Sequence, residues 1–64
     1  MEKEEFVRKF QEQIIAHKNV LVELEGDDSI FIDNYHFNGN DMIFFVKNEE
    51  MIALIELTHV KDIY

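Results

Sequence analysis

Two stretches near the C-terminal end, Met42–Val46 (MIFFV) and Met51–Leu57 (MIALIEL), are apolar at almost every position. Neither approaches the ~20 apolar residues of a membrane span. Each is bounded by turn residues, and β-branched and aromatic side chains are frequent in them, which reads as a strand. Strand side chains alternate between two faces. A strand apolar on both faces cannot leave either one in water. One face must fill a core, and the other must be covered by another element of the chain or by a second chain.

The rest of the chain limits what can provide that cover. Sixty-four residues make one small domain, near the lower limit for folding on its own core. There is no cysteine, so neither a disulfide nor a thiolate zinc site can supplement the packing. Small domains without such staples rely on close packing or on oligomerisation. With 47% hydrophobic residues and six Phe, the chain is too apolar for a disordered segment. The charged start, Met-Glu-Lys-Glu-Glu-Phe, lacks a signal-peptide core, and a cytoplasmic protein is the expectation.

Phe6, Val7, Phe10, Ile14 and Ile15 recur at spacings of three and four, which predicts a helix from about residue 3 to 17. Glu4–Arg8 and Glu5–Lys9 are acid-first pairs in the favoured orientation. His17 and Lys18 place positive charge by the negative pole of the helix dipole. From residue 19 the period becomes two. In NVLVELEGDD, Val20, Val22 and Leu24 point one way, and Leu21, Glu23 and Glu25 the other. SIFIDNYHF reads as a second strand, irregular near Asp33-Asn34, followed by Asn38-Gly39, the strongest short hairpin signal, here of type I′. MIFFVK is the third strand, Asn48-Glu49-Glu50 a weaker turn, MIALIEL the fourth strand, Thr58-His59-Val60 a short turn and KDIY the fifth strand. No helix separates these strands, so the sheet is antiparallel. The expected architecture is mainly β with one helix: a single domain over residues 1–64. An N-terminal helix precedes a five-stranded, strongly bent antiparallel barrel of SH3-like form over about residues 19–64. The helix stripe is too short to cover both strands, so the fourth strand, with Met51, Ile52, Leu54, Ile55 and Leu57, is expected at a subunit interface. The alternative is that bending turns both parities inward.

Charge is unevenly placed. Residues 1–19 balance four acids against four bases, so residues 20–64 carry the whole net charge of −8, as ten acids against Lys47 and Lys61. Duplex binding depends on neutralising phosphates with Lys and Arg, and such a body argues against it. An acidic surface suits solubility or a basic protein partner.

Several stretches resemble the Sm-like proteins, and among them the bacterial Hfq type. FQEQIIAHKNVLVEL is similar to the family's helix running into its first strand. SIFIDNYHFNGNDMIFFVKN lies without a gap on the strand two–turn–strand three segment, and IELTHVKDIY resembles the strand four–turn–strand five segment. The resemblance spans roughly residues 10 to 64. It implies a bent barrel closed into a ring by strand pairing between subunits, and a pocket for uridine-rich RNA at each boundary. By the same resemblance, Met42, Thr58 and His59 fall on the ligand positions. Met42 replaces a stacking aromatic and Thr58 a lysine, the Gln-Asp pair at the helix start is missing, and the arginine-rich helix end is AHK. Base stacking and phosphate contact are both weakened by these changes.

No other motif carries chemistry. His36 beside the hairpin and His17 at the helix end are read as exposed. The acids and Asn residues around Asp27, Asp33 and Asp41 miss the EF-hand spacing. Ser29 and Thr58 lack a nucleophile's context. The chain is expected to be a non-enzyme without cofactor or metal. The leading expectation is a self-associating binding protein that meets a protein partner through an acidic surface. The alternatives are an Hfq-like RNA binder, and an acidic inhibitor that mimics nucleic acid, as some phage-encoded proteins do.

Overall fold

A computed structural model describes all of residues 1–64. The chain runs through a helix α1 (Lys3–Ala16) and six strands: β1 (Val20–Leu24), β2 (Ser29–Ile32), β3 (Asn34–Asn38), β4 (Met42–Lys47), β5 (Glu50–Glu56) and β6 (Val60–Ile63). They form two antiparallel three-stranded sheets, ordered β2-β1-β6 and β3-β4-β5. The expected closed barrel of five strands is thus corrected to six strands in two sheets. The extra strand comes from Asp33, where the long second strand breaks and its two halves join different sheets. The Asp33 amide still donates to the Val46 carbonyl at 3.0 Å, and its carboxylate accepts the Asn48 amide at 2.9 Å. One residue therefore anchors the bend and the β4–β5 turn.

Helix α1 lays Phe6 and Phe10 into the core, with Ile14 packed beside them, while Ile15 points to solvent. Phe6 is the hub of an aromatic cluster. Its ring lies 5.0 Å from Tyr35 and 6.2 Å from both Phe37 and Phe45. The first two are edge-to-face and the Phe45 pair is stacked, and such pairs contribute about 0.5–1.5 kcal/mol each beyond the area they bury. Between the sheets, Val20, Val22, Ile32, Ile43, Leu57, Val60 and Ile63 complete the core. Alternation on β1 is as read, with Val20 and Val22 fully buried and Leu24 packed against the cluster. The helix is also pinned to β6, where the Lys9 ammonium donates to Asp62 at 2.8 Å.

The two hairpins exchange the turn types that the residues suggest. At Asn38-Gly39 only Gly39 has positive φ, and residues 39–41 form a three-residue loop between the paired Asn38 and Met42. At the weaker signal, Asn48 and Glu49 both take positive φ (52° and 68°) between the paired Lys47 and Glu50. Two left-handed residues in a two-residue loop are the type I′ arrangement. Glycine is absent from that turn, so Glu49 holds a conformation that costs an L-residue about 1–2 kcal/mol.

Candidate functional site

The apolar surplus of β4 and β5 is resolved by a bulge. Phe45 pairs with Ala53, but Val46 pairs with Met51, which leaves Ile52 as an extra residue on β5. A bulge adds twist and re-aims side chains. Its effect on β4 is that two consecutive residues, Phe45 and Val46, are both buried. On β4 Val46 is thus buried, while Met42 and Phe44 of the same parity stay half-buried. On β5 less is covered. Leu57 is buried in the core and Ile55 packs against it, but Met51 is 64% exposed, Ile52 43% and Leu54 47%.

These residues belong to the outer face of the β3-β4-β5 sheet. His36, Phe44 and Leu54 stand side by side in one cross-strand row, and Asn38, Met42 and Glu56 form the next. No cation other than Lys47 lies on these three strands. Strand β5 is also the edge of its sheet, so one row of its backbone groups has no partner strand. An apolar edge without a charge in its middle is a template for pairing with another chain.

Met42, Thr58 and His59 gather at the C-terminal end of β5. Met42 pairs with Glu56, and the His59 Nε2 lies 3.5 Å from the Glu56 carboxylate. Thr58 and His59 sit in the 3-10 turn Leu57–His59, both exposed, and the turn is held by the Leu57 amide donating to the Asp41 carbonyl at 2.7 Å. Glu56 is therefore common to both ends of the group. A carboxylate at this point repels phosphate, and with Met42 half-buried no flat aromatic ring is offered there.

Two further surfaces were not singled out from the residues alone. The first is the outer face of the β2-β1-β6 sheet. Phe31 pairs with Leu21, and Leu21 exchanges both backbone hydrogen bonds with Tyr64 (3.2 and 2.8 Å), so Phe31, Leu21 and Tyr64 form one outward row. Phe31 is 51% exposed and Tyr64 53%. The next row along is Ser29, Glu23 and Asp62. The Tyr64 hydroxyl donates to Glu23 at 3.2 Å, and the nearby carboxylate holds the phenol above its ordinary pKa. The signal was present in the alternation, since a strand burying Ile30 and Ile32 must turn Phe31 outward.

The second is a shallow groove of about 390 Å³ along α1, lined by Lys3, Glu4, Val7, Arg8, Gln11 and Phe37. The Lys3 ammonium lies 4.8 Å from the centre of the Phe37 ring, and Arg8 is engaged by Glu12 at 3.3 Å. Its cations are thus already occupied within the chain. No set of three His, Asp or Glu side chains converges as metal ligands do. No helix is long and apolar enough to cross a membrane.

In comparisons with known proteins, the chain matches no protein-family model, no curated protein and no solved structure.

Proposed function

We propose that the chain is a non-enzymatic binding protein whose copies associate along β5 and present an acidic surface to a protein partner. The observation that carries this reading is the state of β5: a seven-residue edge strand with Met51, Ile52 and Leu54 exposed and charges only at its two ends. Only 11 of the 64 residues are buried, so the apolar area added by a second chain is a large fraction of what this small core supplies.

The edge that suits β5 is β6 of a second copy, as in the ring that the Sm-like resemblance implies. Antiparallel pairing of β5 with itself about Ala53 brings Glu50 against Glu56 at both ends, and directly opposed like charges are destabilising. Strand β6 instead offers Lys61 beside Asp62, and no other strand of the chain lies along its outer edge. There the Met1 ammonium donates to the Val60 carbonyl at 3.4 Å and the Ile63 amide to the Asp62 carboxylate at 2.8 Å. A contact between two different edges is head-to-tail, and it closes into a ring when the rotation between copies allows. The RNA reading draws less support, because Met42, Thr58 and His59 surround Glu56 rather than a cation.

Light scattering at low and at high salt tests the reading. A mass several times 7.7 kDa that persists in high salt is the expected result, because apolar pairing is not screened. A monomer under both conditions would remove the association. Pull-downs with basic and acidic protein mixtures would then test the acidic surface separately.

A further inference from the structure

The outer face of the β2-β1-β6 sheet combines features that do not serve the fold. Two aromatic rings, Phe31 and Tyr64, are half-exposed on the same face, two strand positions apart across Leu21. Two interstrand steps separate them by roughly 10 Å. The row beside them carries Glu23 and Asp62, and the β1–β2 connection at the end of the sheet adds the exposed acids Glu25, Asp27 and Asp28. Of the cations nearby, Lys9 is held by Asp62, Lys47 extends across from β4, and Lys61 stands exposed on β6, so acids outnumber free cations at this face.

We propose that this face is the docking surface for a Lys/Arg-rich segment of a partner protein, with Phe31 and Tyr64 receiving guanidinium or ammonium groups and Glu23 pairing their charge. The proposal rests on the acidic-surface reading above and assigns that surface a place. Charge complementarity selects the occupant. An anionic strand of nucleic acid meets carboxylates here, and a second copy of the same face meets its own charge. An apolar partner leaves the charge of Glu23 uncompensated, since its one partner in the chain is the neutral Tyr64 hydroxyl. A cationic side chain satisfies both parts, since the face of an aromatic ring attracts a cation and a neighbouring carboxylate adds to it. The molecule already uses this contact, because the Lys47 ammonium lies 5.8 Å from the centre of the Phe31 ring.

The test uses the full chain and a fluorescent oligoarginine peptide, read by anisotropy at low and physiological salt, with an oligoglutamate peptide as control. The wild-type chain is expected to bind oligoarginine alone, and more weakly as salt rises. Phe31→Ala and Tyr64→Ala should each weaken binding roughly 2- to 5-fold, the value of a cation on an exposed ring. Glu23→Gln should weaken it as well, and Glu49→Gln with Glu50→Gln, on the β4–β5 turn, should not. Phe31→Leu keeps the row apolar without a ring and should behave as Phe31→Ala does. Circular dichroism confirms that each variant is folded. If Phe31→Leu binds as wild type, or the turn variants weaken binding as much as Glu23→Gln, this face is the wrong place although the acidic-surface reading stands. If oligoarginine does not bind the wild-type chain at low salt, that reading falls with it.

Discussion

Of the four edge strands, β5 and β6 are protected very differently. Strand β6 has four residues, carries Lys61 and Asp62, and is tied to α1 by the Lys9–Asp62 ion pair at 2.8 Å. Strand β5 has seven residues, is bulged only near its start, and exposes Met51, Ile52 and Leu54. Short length and charge are the ordinary defences of an edge against unwanted pairing. One edge has them and the other lacks them. Had both been bare, copies could pair β5 to β5, β6 to β6 or β5 to β6. If copies associate as proposed, the terminal Glu residues of β5 would disfavour β5-to-β5 pairing, and the apolar middle of β5 would need an edge other than its own. Guarding one edge is thus a way of choosing a partner edge.

The largest expected effects come from adjacent residues on β5. Ile55 packs against the core, so Ile55→Asp strands a carboxylate there and should destabilise the fold by about 3 kcal/mol, in the range of a truncated core aliphatic or a broken buried pair. Urea unfolding followed by circular dichroism measures it. Leu54, one residue earlier, faces outward. Leu54→Asp should keep the folded spectrum and lower the urea midpoint only by what association contributes, while light scattering falls to the 7.7 kDa monomer. Equal behaviour of the two variants would mean that β5 does not have one face for the core and one for a neighbour.

How much of this was legible follows from what each residue had to satisfy. The helix, the alternation on β1, and the order of strands were readable because burial alone dictates them: Phe6, Phe10, Val20 and Val22 have nowhere else to go. The break at Asp33 was visible only as an irregularity. A bend that sends two halves of a strand to different sheets depends on Asp33 bonding to Val46 and Asn48, which are distant in sequence. The bulge beside which Phe45 and Val46 are both buried is likewise a property of the β4–β5 pair, not of β4. For the candidate site, the exposed part of β5 was legible as an excess of apolar residues, although Leu57 of that group belongs to the core. The row of Phe31, Leu21 and Tyr64 was not, because it needs the register of three strands at once.

The turn that leads into β5 supplies a smaller effect. Glu49 sits at φ 68° with no glycine in the loop, whereas Gly39 supplies the left-handed residue of the other hairpin. Glu49→Gly removes the steric cost but adds unfolded-state entropy, and the net gain should be under about 1 kcal/mol. The mass by light scattering should not change, since the turn fixes the register of β5 without touching its exposed side chains. A rise in stability together with a change in mass would show that the strained turn also positions the edge.

The smallest effect concerns the guarded edge. The Lys9 ammonium, and then the Ile63 amide, hold the Asp62 carboxyl below its ordinary 3.8. The hydrogen bond to Asp62, with Glu5 adding at 4.0 Å, holds Lys9 above its ordinary 10.5. A depressed acid contributes stability that is present above its unfolded pKa and lost as pH falls through the folded one, here below 3.8. A raised base contributes stability that is present below its unfolded pKa and lost as pH climbs through the folded one, here above 10.5. Asp62→Asn should therefore lower stability by a constant, small amount between those limits, with the difference from wild type shrinking at both ends. Both groups are partly in water, so salt should shrink it too. Urea midpoints across the pH range measure the difference. An Asp62→Asn curve that stays parallel to wild type into acid would mean that the ion pair does not hold β6 to the helix, and that the short length and charge of β6 are its only protection.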